Sequence, residues 1–285
     1  MAVIIISEAI KGSSEILKAA NVEMPLLEAR AILCSLLNCE TAYLYAHGSE
    51  KLDDGLSALF NEKVCERAEG VPLQHLTGMQ EFMSLDFRVD RNVLIPRQDT
   101  EILVETVINQ FSSSTDSVRI LDMCTGSGCI AVSLAYYLKN CRVTAVDISG
   151  EAIEVAKTNA GRYGLGGRME FILSDLFSKV EGKFHAIVSN PPYIRSDVIE
   201  QLSAEVRDFE PRLALDGGAD GLDFYKRIVA EAPVYLVKDG VLAVETGFDQ
   251  GKQVAGLMLP SFTEVKIIKD FSGNDRVVTG RMPFL

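Results

Sequence analysis

Asn190-Pro191-Pro192-Tyr193 is the stretch whose residue types point most directly to chemistry. The Asn190 side-chain oxygen and the Pro191 carbonyl can each accept one N–H of a planar NH₂ group. Held that way, the group's delocalised lone pair is turned toward an electrophile. The two prolines fix φ and bring no N–H donors, which keeps the local surface rich in acceptors. Tyr193 can stack on the flat group and hold it in line. Such a set suits a nitrogen receiving a methyl group from a sulfonium, with rate gained by orientation and electrostatics and no covalent intermediate.

A second constellation lies upstream. In Ile120–Ala131, Gly126-x-Gly128-x-x-Ala131 fits a loop that brings backbone close to a nucleotide at a helix N-terminus. Asp147 follows about 20 residues later, at the end of the next expected strand, where a carboxylate accepts both ribose hydroxyls. Two ligands fit these features. NAD would set its pyrophosphate on the loop; S-adenosylmethionine would set its methionine moiety there, with Asp122 near the ammonium group. The tetrapeptide favours the second, because hydride chemistry leaves Asn190 to Tyr193 without a task.

These residues need a scaffold. From about Ser117 onward, expected strands Arg119–Met123, Arg142–Asp147, Glu170–Ser174, His185–Asn190, Gly240–Glu245, Glu264–Lys269 and Arg276–Thr279 alternate at first with helices Cys129–Lys139 and Gly150–Tyr163. Repeated strand–helix units imply a mostly parallel sheet covered on both faces. The last two strands flank a Ser272–Asp275 turn and should be antiparallel. The first 80 residues read as a helical bundle: Leu56, Leu59, Phe60 and Val64 recur at helical spacing within Asp53–Glu69, and Met24–Leu37 is rich in Leu, Ile and Ala. Between the two parts, Met83, Leu85, Phe87 and Val89 alternate with polar residues. A second strand, Val93–Ile95, is expected to complete a hairpin over 77–96.

Composition narrows the function classes. The 285 residues carry 28 Lys and Arg against 40 Asp and Glu, a formal charge of −12. Residues 1–80 hold six basic and eleven acidic groups, so neither part offers a basic face for phosphate backbones, and no direct nucleic-acid partner is expected. The six cysteines form no C-x-x-C pair and only three histidines accompany them, so no metal site is expected and buried, reduced thiols are. The start, MAVIIISEAIKG, lacks a basic targeting segment, and no apolar run approaches the roughly 18 residues of a membrane helix. A cytoplasmic monomer without membrane contact is the expectation.

Further matches turn this pattern into a resemblance. Pro72–Gly78 with Glu81-Phe82, Leu94–Glu101, Glu210-Pro211 with Ala214–Leu222, and Asp270–Arg276 accompany the two motifs. Together they resemble the N5-glutamine methyltransferases that modify peptide chain release factors, the HemK or PrmC family, almost end to end. Asn-Pro-Pro-Tyr is shared with DNA adenine methyltransferases, which makes N6-adenine methylation of DNA or RNA the alternative.

The resemblance implies an α/β fold: a Rossmann-like class I methyltransferase domain with a seven-stranded, mostly parallel sheet. It divides the chain into a helical substrate-recognition domain (1–76), a hairpin linker (77–96) and an S-adenosylmethionine-dependent catalytic domain (97–285). Carried over by position, Cys124, Thr125, Gly126, Ser127 and Gly128 form the cofactor loop and Asp147 holds the ribose. Leu176 lies against the adenine, Asp175 reaches toward its amino group, and Asn190, Pro191, Pro192 and Tyr193 receive a glutamine side chain. The implied acceptor is the glutamine of the Gly-Gly-Gln motif of class I release factors. Cys124 stands where the family often has glycine, and Leu176 where it can have tryptophan.

Other features carry simpler expectations. His75 and His185 read as structural, Arg97 as a partner for Glu101 or a support for the cofactor's edge, and Glu245-Thr246-Gly247 as packing at the sheet end. Eight acids crowd Ser196–Asp223 against Arg207 and Arg212, a stretch that is either a solvated loop or an attractor for a basic protein.

Overall fold

The structure, a computed structural model, describes residues 4–284. Met1–Val3, where the expected first domain and the apolar N-terminal run begin, and Leu285, where the last domain ends, lie outside them. Contacts divide the chain into two compact units, Met1–Met79 with Ser203–Phe209, and Gln80–Leu202 with Glu210–Leu285. The division is not contiguous in sequence.

The first unit is helical: α1 (Ile6–Ala19), α2 (Pro25–Leu37), α3 (Thr41–Ala46), α4 (Asp54–Ala68) and α5 (Leu73–Thr77). Pro25 opens α2, where its missing N–H costs nothing, and Asn38 closes it in the left-handed region. Asp53 caps α4 by accepting from the Gly55 and Leu56 amides. Leu17, Ala29, Ile32, Leu33, Phe60 and Val64 are wholly buried and form the core. Far along the chain, α9 (Ala204–Phe209) joins this unit, where Arg67, ion-paired with Glu28, also reaches Glu205 at 3.7 Å.

The second unit begins with a two-stranded hairpin, β1 (Met79–Phe82) and β2 (Leu85–Arg88). This differs from the expected pairing: Met83 lies in the turn, and Val93–Ile95, with Val93 and Ile95 buried, is not a strand. The reason is tertiary. Met83 and Ser84 both take positive φ (52° and 57°), a conformation usually signalled by Asn-Gly. Here side chains stabilise the turn: Glu101 accepts from the Met83 amide at 2.6 Å, Glu81 accepts from the Ser84 amide at 2.6 Å, and Tyr137 donates to the Met83 carbonyl at 2.6 Å.

There follow α6 (Glu101–Phe111), β3 (Val118–Met123), α7 (Cys129–Tyr137), β4 (Cys141–Asp147), α8 (Gly150–Arg162), β5 (Met169–Leu173), β6 (Phe184–Ser189), α10 (Asp223–Tyr235), β7 (Leu236–Glu245), α11 (Gly251–Met258), β8 (Thr263–Lys269) and β9 (Asp275–Arg281). Seven strands form one sheet in the order β5-β4-β3-β6-β7-β9-β8. β5 to β7 run parallel, and β9 is antiparallel to both β7 and β8. Strand residues alternate between two cores. Ile120, Ala145, Val188 and Ala243 pack on the α6–α7 side, whereas Leu121, Val146, Ile187 and Val244 pack on the α10–α11 side. This is the seven-stranded, Rossmann-like α/β fold expected, with a helical N-terminal part.

The sheet's strand order reverses between β3 and β6. In open α/β sheets that switch point, beyond the carboxyl ends of the strands, is where ligands bind. The register aligns Met123 with Val146 on one side and Ser189 on the other, so the segments that follow β3, β4 and β6 emerge together.

Candidate active site

At this edge lies a cavity of about 230 Å³. Cys124, Thr125, Gly126 and Ser127 from the loop after β3 line it, with Asp147 from β4, Asp175 and Leu176 from beyond β5, and Asn190 and Pro192 from beyond β6. Three of the expected residues are not in the lining. Gly128 caps α7 at φ 79°, and a Cβ there would sit 2.9 Å from that of Ala156, so glycine allows α7 and α8 to approach. Pro191 is buried, and Tyr193 is half-buried with its hydroxyl 3.4 Å from Glu245 Oε1.

The loop is built by backbone bonds to an acid. Asp147 accepts from the Gly126 amide at 2.8 Å and the Ser149 amide at 3.0 Å. Burial raises its pKa, opposed by backbone N–H groups of Ser149, Gly126 and Ile148. Both oxygens are thereby fixed in place, with lone pairs left toward the cavity. Asp122 takes another part than the ammonium contact. It is wholly buried, outside the lining, and accepts from the Thr125 hydroxyl at 2.6 Å. Burial pushes its carboxyl up to about 7 despite that bond. Asp175 is half-exposed and accepts from Arg227 at 2.8 Å, while Leu176 is buried at φ 44° as an apolar wall. Cys124 also holds a positive φ, 61°, and burial drives its thiol pKa upward, keeping it protonated.

On the acceptor side, the Asn190 amide nitrogen donates to Thr100 Oγ1 at 3.2 Å. That bond engages the nitrogen and leaves the side-chain oxygen without a bond to Thr100; both residues line the cavity. Gln250 donates to the Tyr193 carbonyl at 2.9 Å and the Gly221 carbonyl at 3.3 Å, holding the backbone after the tetrapeptide. Glu245, at the end of β7, is wholly buried. Burial pushes its carboxyl up to about 7 against a hydrogen bond from Thr100, the charge of Arg276 and a hydrogen bond from Tyr193. Thr100, Gln250 and Arg276 had no part in the sequence reading of the site, and Glu245 entered it only as packing. A carboxylate at the end of the strand neighbouring the tetrapeptide was the available signal.

Other expectations meet specific partners. Arg97 pairs with Glu210 at 2.5 Å rather than with Glu101, which holds the hairpin turn. His185 accepts from the Arg119 amide at 3.0 Å on the sheet, and His75 lies on α5 of the first unit. Two of the six free cysteines, Cys129 and Cys141, are buried, while Cys65 is exposed and the others are intermediate, so the thiols are less buried than expected. Among the described residues no cluster of His, Cys, Asp or Glu suits a metal ion, and no helix is long and apolar enough to cross a membrane.

The acidic segment is not a free negative surface. Asp197 pairs with Arg195, Glu200 and Asp216 with Arg212, Glu205 with Arg67, Asp208 with Arg207, Glu210 with Arg97, and Asp220 and Asp223 with Lys226. Counting charges along the segment took in Arg207 and Arg212 but overlooked Arg67, Arg97, Arg195 and Lys226, which lie outside it.

The chain is similar to known proteins in both of its parts. Residues 8–78 match the family model of the PrmC N-terminal domain, and residues 97–207 match that of the methyltransferase small domain. The release factor glutamine methyltransferase of Moorella thermoacetica is 44% identical over 263 residues, covering 91% of this chain and 92% of the relative. That of Agrobacterium fabrum is 40% identical over 272 residues, covering 93% of each. In fold, a methyltransferase from Pyrococcus furiosus superposes with a TM-score of 0.53 at 21% identity, over 71% of this chain and 91% of its own. The catalytic domain of hMettl16 gives 0.57 at 14% identity, over 83% and 85%. Sharing more than a third of its residues with such relatives over nearly its whole length, the chain belongs to the release factor glutamine methyltransferase family.

Proposed function

We propose that this protein transfers a methyl group from S-adenosyl-L-methionine to the side-chain amide nitrogen of the glutamine in the Gly-Gly-Gln motif of class I peptide chain release factors. The observation that carries the reading is that Asn190, its amide nitrogen bonded to Thr100, lines the same cavity as the glycine loop and Asp147.

The residues fit the cofactor. Asp147, anchored by backbone amides, keeps lone pairs for two ribose hydroxyls, and the backbone of Cys124 to Gly128 allows close approach of the methionine moiety. Leu176 supplies an apolar face for adenine, and Asp175 lies beside it with one oxygen engaged by Arg227. When bound, S-adenosylmethionine supplies the methyl group as a sulfonium. Asn190 Oδ1 and the Pro191 carbonyl accept the two N–H groups of the substrate amide, turning its lone pair toward the methyl carbon. An amide nitrogen is a weak nucleophile, so this orientation accounts for the rate. As the new N–C bond forms, the methyl–sulfur bond breaks with its electron pair staying on sulfur. S-adenosylhomocysteine is the leaving product, and one of the two amide protons passes to solvent. Tyr193, steadied by Glu245 and Gln250, closes the acceptor side. The helical first unit serves recognition of the protein substrate.

The test is transfer of label from S-adenosylmethionine to a purified release factor, followed by peptide mapping. Label on the Gly-Gly-Gln glutamine is the expected result. Transfer to adenine in DNA or RNA, with none to the factor, would overturn the reading.

A further inference from the structure

Beyond β5, Ser174, Asp175 and Leu176 line the cavity in a row. Local bonds set their backbone. The Ser174 amide donates to the Asp147 carbonyl at 2.9 Å, and the Ser178 amide and hydroxyl donate to the Asp175 carbonyl at 3.1 and 2.6 Å. Leu176, at φ 44°, is strained for a residue with a side chain, and such strain persists where the surroundings over-determine the backbone. None of these bonds fixes the Asp175 side chain, which can still turn about its own torsions. Its orientation comes from α10, where Arg227 Nη2 donates to Asp175 Oδ1 at 2.8 Å. Arg227 lines the cavity too, as does Phe224, three residues earlier on the same face of α10. We propose that Arg227 is a positioning residue for the base of the cofactor: holding Asp175 by one oxygen, it aims the other at the exocyclic amino group of adenine. The inference rests on the function proposed above.

An ionised carboxylate only accepts, so Asp175 suits a base edge that offers an N–H and gains nothing from one that does not. A guanidinium presents its N–H groups in a rigid plane and stays charged, which makes it a fixed anchor for one carboxylate oxygen. The bond to Oδ1 leaves Oδ2 without a bond to Arg227. As a device for folding, the pair explains little. The Arg227 and Asp175 side chains are 44% and 48% exposed, and ion pairs so open to water add little to stability. Of the other charged residues in the lining, Arg97 is paired with Glu210 and Asp147 is assigned to the ribose, which leaves Asp175 with Arg227 to read the base. Leu176 offers an apolar wall without an aromatic face, so more of the recognition of adenine falls to this polar edge.

The experiment measures binding to the full chain by calorimetry, with no acceptor protein present. The ligands are S-adenosylmethionine and its analogue with hydrogen in place of the adenine amino group. The wild type is compared with Arg227→Ala, Asp175→Ala and the double variant. Wild type should bind S-adenosylmethionine about tenfold more tightly than the analogue, the scale of one hydrogen bond to a charged group. Arg227→Ala should weaken S-adenosylmethionine roughly threefold to tenfold and leave the analogue within about twofold, so the ratio narrows. Asp175→Ala should abolish the preference, and adding Arg227→Ala to it should change the ratio no further. With a release factor as acceptor and saturating cofactor, kcat of Arg227→Ala should stay within about twofold, because the base lies away from the reacting atoms. An unchanged ratio in Arg227→Ala, an equal loss for both ligands, or a wild type that binds both alike overturns the proposal and leaves the methyl-transfer reading standing. A wild type that does not bind S-adenosylmethionine overturns both.

Discussion

Asn190 can be removed without disturbing the groups that surround the ribose, because its side-chain bond runs to Thr100 and not to the glycine loop. Asn190→Ala is therefore expected to lower turnover at least about a hundredfold, the range seen when one preorganised polar contact is lost. Affinity for S-adenosylmethionine, measured by equilibrium dialysis, should persist within a few-fold. Full turnover in that variant would refute the role. What the sequence made legible at this scale was whatever is contiguous or set by a motif's own spacing: four residues in a row after β6, five in a row after β3, and Asp147 about 20 residues beyond that loop. Thr100 is 90 positions from Asn190, and Glu245 is 52 from Tyr193. Their polar groups meet only because β6 and β7 are neighbours in the sheet and the Gln98–Thr100 turn approaches the same edge. No spacing rule connects them.

Among the elements, the two loop glycines serve different ends and should respond differently to the same substitution. Gly126→Ala adds a Cβ with nothing within 4 Å, so only its φ of 53° is penalised, at about 1 kcal/mol. Gly128→Ala adds the same conformational penalty to a clash with Ala156 Cβ at 2.9 Å and Cα at 3.1 Å. It should cost roughly 2–3 kcal/mol and lower the melting temperature visibly more than Gly126→Ala. A second element-level tie comes from Asn159 on α8. Fully buried, it donates to the Ser127 and Arg88 carbonyls at 2.8 and 3.0 Å and accepts from the Arg88 amide at 2.7 Å. One side chain thus clamps the glycine loop and β2 together. Asn159→Ala strands these backbone groups and should cost about 3 kcal/mol in denaturant unfolding. Strands and long helices were legible in outline because period 2 and period 3.6 are local properties. The hairpin turn was not, because Met83-Ser84 owes its conformation to Glu101, Glu81 and Tyr137 rather than to its own residue types.

At the scale of the whole molecule, charge works through two buried acids more than through the net −12. Asp122 and Glu245 both have folded-state carboxyls raised to about 7 by burial, above their ordinary values of 3.8 and 4.5. The folded chain therefore keeps protons that the unfolded chain has released, and stability falls as pH rises from about 4 to 7. Above that window the charges are buried at full cost. Asp122→Asn removes one of them while preserving an acceptor for Thr125. Without ligand, it should melt at a higher temperature than the wild type at pH 8, by roughly 1–3 kcal/mol of stability, with a smaller gain at pH 5. An equal gain at both values would show that ionisation of Asp122 is not the cause. The acidic segment, by contrast, is ion-paired, its eight acids sharing six cations, so the total charge was a poor guide to where electrostatics matter.

The order of the strands also has a consequence for how the protein comes into being. β9 follows β8 in the chain, yet it is inserted between β7 and β8. Until Asp275–Arg281 emerges, β7 has an unpaired edge exactly where Glu245 must be held, and Arg276, bonded to Asp99 and Asp270, is not yet available to steady that carboxylate. The glycine loop and the parallel strands precede β9 in the chain, so the acceptor side waits on a later segment than they do. A methyltransferase proposed to act on the factors that end protein synthesis would thus complete its working site only once Asp275–Arg281 has emerged.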